Sequence, residues 1–415
     1  MFRFVHTADI HLDSPLRSLA LRAPEAAEAV GIATRTAFSR TVDLCIDEDV
    51  DALIIAGDLY DGKLRSMKTA RFFAEEMRRL TGAGIAGFVL RGNHDAESVI
   101  TKEMTLPEGI HVFKGRDEPV DLKGGAVHLH GVSYAKPHAP DSLLPKYKPG
   151  TDGIVDIGVM HTSLSGSPAH DDYAPCPVAD LACHGYAYWA LGHIHKRSVH
   201  SKPDCTIVMP GIPQGRHINE DGARSVSLVT IKSNGAVHVE ERSVASVRFE
   251  RIRIDLDGVE DWASLVSRAG EAFGRFADDM ETDHGVVRAE LCGETSLMRE
   301  LMRDADKRDE ELASAADRSG PLYFEKAELV DRTSSRDESG EIEALKSLIT
   351  EGEVPASTVE DMLRDDAMQL VKKLPAELRD RFDPMVHPNI LAKAVGIGAE
   401  RILARLSEAS GADEA

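Results

Sequence analysis

Residues 52–56, Ala-Leu-Ile-Ile-Ala, are apolar without a break, and the run stops at Gly57-Asp58. A strand with no polar position has no face for water, so it belongs in a sheet covered on both sides. Four other apolar runs end in the same way. The strand that starts at Phe2 ends on Asp9-Ile10-His11, and Phe88-Val89-Leu90 leads through Arg91-Gly92 to Asn93-His94-Asp95. Residues 154–160 lead to His161, and Tyr188-Trp189-Ala190-Leu191 leads to Gly192-His193-Ile194-His195. An unpaired polar group left inside such a run costs about 1 to 3 kcal/mol. The carboxylates, imidazoles and amide must therefore project from turns, with partners of their own.

Helical spacing fills the gaps between the first of these runs. Phe38, Val42, Cys45 and Ile46 recur along residues 33–48, and a second helix is predicted over residues 67–80. Strand, helix, strand, helix, strand is the pattern of α/β packing. In such sheets ligands collect beyond the carboxyl ends of the strands, where Asp9, His11, Asp58, Asn93 and His94 stand.

Taken alone, each of these positions is ambiguous: Asp58 is as readily a turn former, and His-x-His occurs on ordinary strands. Together, imidazoles, carboxylates and one amide oxygen without thiolate suit borderline-to-hard divalent ions such as Mn, Fe or Zn. The candidates outnumber the four ligands of one tetrahedral ion, so two ions are expected, with Asp58 able to touch both. About +4 from the ions against the carboxylates of Asp9 and Asp58 leaves a locally positive site, which suits a phosphate ester. His94 is the imidazole left over, available to protonate the leaving oxygen or stabilise the transition state; support of the ligands from behind is the plainer alternative.

His128 and His130 alternate with apolar residues on one predicted strand and read as structural. His170, in the loop after His161, and Arg197 and Arg216 are candidates for touching substrate, with loop packing or solvated surface charge as their plain alternatives.

The 415 residues exceed one ordinary core, and 42% hydrophobic content beside 29% charged residues describes a globular chain. No stretch approaches the roughly 18 apolar residues of a membrane span, and the first residues are interrupted too early for a secretory signal. Five cysteines without a Cys-x-x-Cys pair predict reduced thiols and a cytoplasmic setting. The net charge of −21 is uneven: 26 Lys and Arg face 31 Asp and Glu up to residue 245, and 23 face 39 beyond it. The acidity therefore lies away from the candidate site.

The ordered set Asp9-x-His11, Gly57-Asp58, Gly92-Asn93-His94-Asp95, His161 and Gly192-His193-x-His195 resembles the calcineurin-like metallophosphoesterase superfamily. Within it, the segments Tyr173-Ala174-Pro175-Cys176, Trp189-Ala190-Leu191-Gly192-His193-Ile194-His195 and Pro210-Gly211-Ile212-Pro213-Gln214-Gly215-Arg216-His217 look like the SbcD/YhaO group of DNA-repair exonucleases. The resemblance covers residues 1–245 and implies a two-sheet α/β sandwich. It implies one metal held by Asp9, His11, Asp58 and His195 and a second by Asp58, Asn93, His161 and His193. Mn is the implied working ion, with Fe, Zn or Mg as alternatives, and His94 is the implied catalytic imidazole for phosphodiester hydrolysis.

Beyond residue 245 the pattern changes to strand 248–256, helix 262–276, strand 286–292, charged helix 297–313 and strand 322–330, which suits a small α+β domain. The related nucleases carry a capping domain there, so residues 246–332 are expected to be a cap. Residues 333–341 read as a linker. Residues 341–410 read as a helical tail that packs internally, docks on an SbcC-like ATPase or joins a second copy as a homodimer. DNA is the expected substrate; a small phosphoester is the alternative within the class, and a non-catalytic scaffold subunit of an ATPase complex the alternative outside it.

Overall fold

The computed structural model describes residues 1–14, 30–61, 66–97, 106–136, 139–164 and 173–330, together with 368, 371 and 372. Its strands are β1 (Phe2–Thr7), β2 (Ala52–Ala56), β3 (Ala86–Leu90), β4 (Ile110–Val112) and β5 (Val120–Leu122), followed by β6 (Val127–Gly131), β7 (Val155–His161) and β8 (Tyr188–Gly192). Next come β9 (Ser198–Lys202), β10 (Cys205–Met209), β11 (Ser225–Ile231) and β12 (Val237–Ser243), then β13 (Val247–Asp255), β14 (His284–Cys292) and β15 (Leu322–Leu329). Two six-stranded sheets have the orders β12-β11-β1-β2-β3-β4 and β5-β6-β7-β8-β10-β9. The neighbours β1, β2 and β3 are parallel, as are β6, β7 and β8.

The apolar run of β2 is explained by what covers it. Leu53 and Ile55 face α1 (Ala33–Asp47) and α2 (Met67–Gly82), in a core with Phe38, Val42, Phe73 and Met77. Ile54 and Ala56 face the second sheet, in a core with Leu129, Ile157, Val159 and Ala190. Burying each large aliphatic side chain contributes about 1.5–3 kcal/mol, so alternation of side chains across two covered faces leaves no polar position. The outer side of the second sheet has its own core of Trp189, Leu191, Met160, Ile207 and Tyr186. This is the two-sheet α/β sandwich that the sequence implies.

The described residues divide into two compact units: those within 1–252, 271–289 and 316–326, and those within 253–270, 290–315 and 327–415. Both six-stranded sheets lie in the first. The three-stranded sheet β13-β14-β15 and the helix α3 (Trp262–Asp279) contribute residues to both. The expected charged helix over 297–313 is two helices, Met298–Arg303 and Ala305–Ser319, because Asp304 leaves helical geometry at φ −105°, ψ 56°. The expected linker at 333–341 lies outside the described residues, as does the expected tail at 341–410 apart from 368, 371 and 372. No helix among the described residues is long and apolar enough to cross a membrane.

Candidate metal centre

The site begins with backbone that ordinary residues avoid. Asp9, His11 and Asp58 sit at φ 53°, 45° and 51°, and His193 at φ 104°. Each such residue costs on the order of 1–3 kcal/mol and persists only where its surroundings over-determine it. Here the loop after β1 is bonded to the loop after β2: Asp9 N–H donates to Gly57 O at 2.9 Å, His11 N–H to Asp58 O at 3.1 Å and Leu12 N–H to Leu59 O at 2.9 Å. Asp95 clamps the next loop to the same place, accepting backbone N–H bonds from Leu59, Tyr60 and Gly92 at 3.0–3.2 Å. Glycine is required where the loops converge. A Cβ on Gly92 would meet Asp58 Oδ1 at 2.1 Å, and one on Gly57, which sits at φ +101°, would meet His161 Nδ1 at 2.3 Å.

The seven expected ligands all lie in this convergence. Donor atoms of Asp9, His11 and His195 fall within 4.8 Å of one another, as do those of Asp58, His161 and His193. Asn93 Oδ1 is 3.0 Å from His161 Nε2, which is also 3.3 Å from Asp58 Oδ2. The Asp58 carboxylate thus falls in the second group, where the resemblance assigns it to both. Asp9 accepts the His193 backbone N–H on both oxygens, at 3.0 and 2.9 Å.

Hydrogen-bond chemistry tests whether this set fits a cation. His161 Nδ1 faces the Ala56 carbonyl at 2.9 Å, and a carbonyl only accepts, so Nδ1 carries a proton. In the neutral ring Nε2 is then a lone pair aimed at two oxygens, an arrangement that only a proton or a metal ion stabilises. Likewise His11 Nε2 and His195 Nε2 approach to 3.3 Å, and His11 Nδ1 is buried with no hydrogen-bond partner among the described residues. The donor set fits divalent cations.

The electrostatics agree. Burial pushes the Asp9 carboxyl up to about 6, against the pull of His161 and His195. Burial would lower His161, but the Asp58 carboxylate overcomes it and raises the imidazole to about 9. Burial also works against Asp58 as an anion, and the His161 charge and hydrogen bond hold it well below the usual carboxylate range. In the protein alone, a proton on His161 offsets one of the two carboxylate charges.

Two groups that sequence reasoning missed, together with Asp95 of the motif, orient these side chains. Glu220, 5% exposed, accepts from His195 Nδ1 at 2.7 Å and from the Arg216 guanidinium at 2.7 Å, which turns His195 Nε2 toward His11. Asp61 lies 3.3 Å from His94 Nδ1, and this hydrogen bond, against partial burial, raises the His94 imidazole above its ordinary value. Asp95 is the clamp already described. The spacing of Asp61 three residues after Asp58 is the one local signal; Glu220 lies 25 residues from His195, with none. His94 is 41% exposed at its side chain while His161 is fully buried. Of the expected substrate contacts, Arg216 is held against Glu220, Arg197 bonds Ser227 Oγ at 2.7 Å and pairs with Glu241 at 3.3 Å, and His170 lies outside the described residues.

Comparison with known proteins places the chain among relatives of one kind. Residues 2–197 match the family described as calcineurin-like phosphoesterase, and residues 249–331 match "Metallophosphoesterase YhaO, middle domain". The chain is 32% identical over 276 residues to the uncharacterized metallophosphoesterase YhaO of Bacillus subtilis, covering 66% of this chain and 67% of that protein. It is 24% identical over 358 residues to the DNA double-strand break repair protein Mre11 of Methanopyrus kandleri, covering 78% of this chain and 74% of that one. It is 27% identical over 203 residues to the Mre11 of Sulfurisphaera tokodaii, covering 48% and 50%.

Proposed function

The chain belongs to the calcineurin-like metallophosphoesterases of the YhaO family, and on that premise we propose that it hydrolyses DNA phosphodiester bonds with two divalent metal ions, as an exonuclease in DNA repair. Two adjacent donor groups, with the solvent-reaching imidazole of His94 beside them, carry the proposal. One ion is assigned to Asp9, His11, Asp58 and His195 and the other to Asp58, Asn93, His161 and His193. Mn is the expected metal, with Fe, Zn or Mg as alternatives. When bound, the pair supplies Lewis acidity to the phosphoryl oxygens and activates water.

The protein's own groups do the rest. The Ala56 carbonyl and Glu220 fix the Nδ1 protons of His161 and His195, so that Nε2 of each is free to donate its lone pair. Asp61 engages His94 Nδ1, which leaves Nε2 to carry a proton to the oxygen that departs from phosphorus. Asp95 keeps the Asp58 and Asn93 loops in register through its three backbone bonds.

The Mre11 relatives, named for DNA double-strand break repair, support a DNA substrate, and the resemblance to the SbcD/YhaO group implies an SbcC-like ATPase partner. Residues 246–332 are assigned as a cap over the site within a 1–245 catalytic domain, and the helical region 341–410 as the docking element for the ATPase or for a second copy. The reduced cysteines support a cytoplasmic setting. The charge of −21, most of it beyond residue 245, is the observation on the side of a second substrate class, a cyclic nucleotide or a phosphomonoester.

The test is Mn-dependent degradation of end-labelled linear DNA by the wild type and by His94→Ala, with a nitrophenyl phosphodiester alongside. Cleavage of both substrates, lost in the variant while its metal content is retained, supports the proposal. Cleavage of the small ester alone, with the ATPase partner also present, removes DNA as the substrate and leaves the metal chemistry standing.

A further inference from the structure

A second group of imidazoles and carboxylates lies on the same sheet, away from the metal centre. Val127 and Leu129 of β6 face the core between the sheets, so His128 and His130 emerge together on the opposite face. The register pairs His128 with Asp121 of β5 on one side and with Asp156 of β7 on the other, while His130 stands opposite Gly158 and stacks on Tyr186 at 4.7 Å. His128 Nδ1 is 3.3 Å from Asp156 Oδ1 and its Nε2 is 3.2 Å from Asp121. His130 Nε2 is 2.9 Å from the same Asp156 Oδ1, and its Nδ1 is 2.9 Å from Asp117 Oδ2. Asp117 is 8% exposed, and its Oδ1 is buried with no hydrogen-bond partner among the described residues. Three carboxylates against two imidazoles leave an excess of negative charge.

We propose that His128 Nδ1, His130 Nε2 and Asp156 Oδ1 form a further binding site for a divalent transition-metal ion of the zinc class, with water as the remaining ligand. A tetrahedral ion with bonds of about 2.0–2.1 Å sets its ligand atoms about 3.3 Å apart, and the two measured separations on Asp156 Oδ1 are 2.9 and 3.3 Å. Asp117 on the far nitrogen of His130, and Asp121 on that of His128, stand where carboxylates orient metal-binding imidazoles. The His128 side chain is 19% exposed, which gives an ion a way in from solvent. Both nitrogens of His130 face carboxylates, so without metal the ring holds two protons; the ion takes the place of the Nε2 proton, which passes to solvent. Asp156 and His161 are five residues apart on β7, about 16 Å along the strand, so the two sites are separate and this one does not depend on the hydrolase proposal.

The experiment is a count of zinc equivalents per chain after equilibrium dialysis at micromolar free zinc, for the wild type and His128→Gln. The expected result is one equivalent fewer in the variant, with phosphodiester hydrolysis unchanged; equal equivalents overturn the site. Because a substitution in this cluster can disturb folding, wild-type crystals equilibrated with zinc supply the second measurement. An anomalous peak within bonding distance of His128 Nδ1, His130 Nε2 and Asp156 Oδ1 is expected, and its absence overturns the proposal.

Discussion

Two groups of histidine and aspartate occupy opposite ends of β7, and they are built differently. At its end, His161 Nε2 faces two oxygens, of Asn93 and Asp58, and sits among residues at positive φ. Near its start, His130 lies between two carboxylates that each match a ring proton, on strand backbone with no positive φ at His128, His130 or Asp156. The same residue types thus form a centre on strained backbone in one place and a matched ion-pair network on regular strand in the other. At either place a cation must displace an imidazole proton, and only at the first does strained backbone gather seven donor residues around it.

Replacing Asp58, the residue proposed to join the two halves of the centre, is expected to have the largest effect. Asp58→Asn should lose metal and bring hydrolysis to background, as read by metal content and a nitrophenyl phosphodiester assay. His94→Ala should keep its metal and lose about 10²–10⁴-fold in kcat; loss of metal instead would make His94 a ligand support. Glu220→Gln frees His195 to turn, and a loss of about 10–100-fold in metal affinity or activity is expected, measured by Mn titration of hydrolysis.

The matched network predicts the smallest effect, and one with a pH sign. Burial opposes the charge on His130, but the hydrogen bonds to Asp117 and Asp156 prevail and raise its imidazole above its ordinary value. A raised basic group stabilises fully below the unfolded value of about 6.5 and loses that contribution as the pH climbs through the folded value. In chelator, the Tm advantage of wild type over His130→Gln should be largest near pH 6, worth about 1–3 kcal/mol, and shrink above neutrality. An advantage that grows with pH would mean that His130 is neutral in the fold.

This contrast was half legible in the sequence. The strands with two covered faces, β2 and β8, announce themselves because nothing polar fits in them, and the glycines that end them mark where backbone must approach closely. Asp9, His11, Asp58, Asn93, His161, His193 and His195 were readable because each sits at such an end. Asp61 and Glu220 were not, since the imidazoles they orient are brought to them by the fold: His94 by β3, and His195 by β8. β4 and β5, at three residues each, are too short to show a period, and without β5 the row Asp121, His128, Asp156 cannot be seen. His128 and His130 look structural in the sequence because the carboxylates that face them come from other segments. Arg197 stands near the site in sequence, and its partners Ser227 and Glu241, brought to it by the fold, could not be read there.

The central claim is that Asp58 lies between two cation sites. Anomalous diffraction at the manganese edge from crystals grown with Mn tests it directly. The account predicts two peaks flanking the Asp58 carboxylate, one bounded by Asp9, His11 and His195 and the other by Asn93, His161 and His193. A single peak, or two that leave Asp58 without a metal contact, would contradict it.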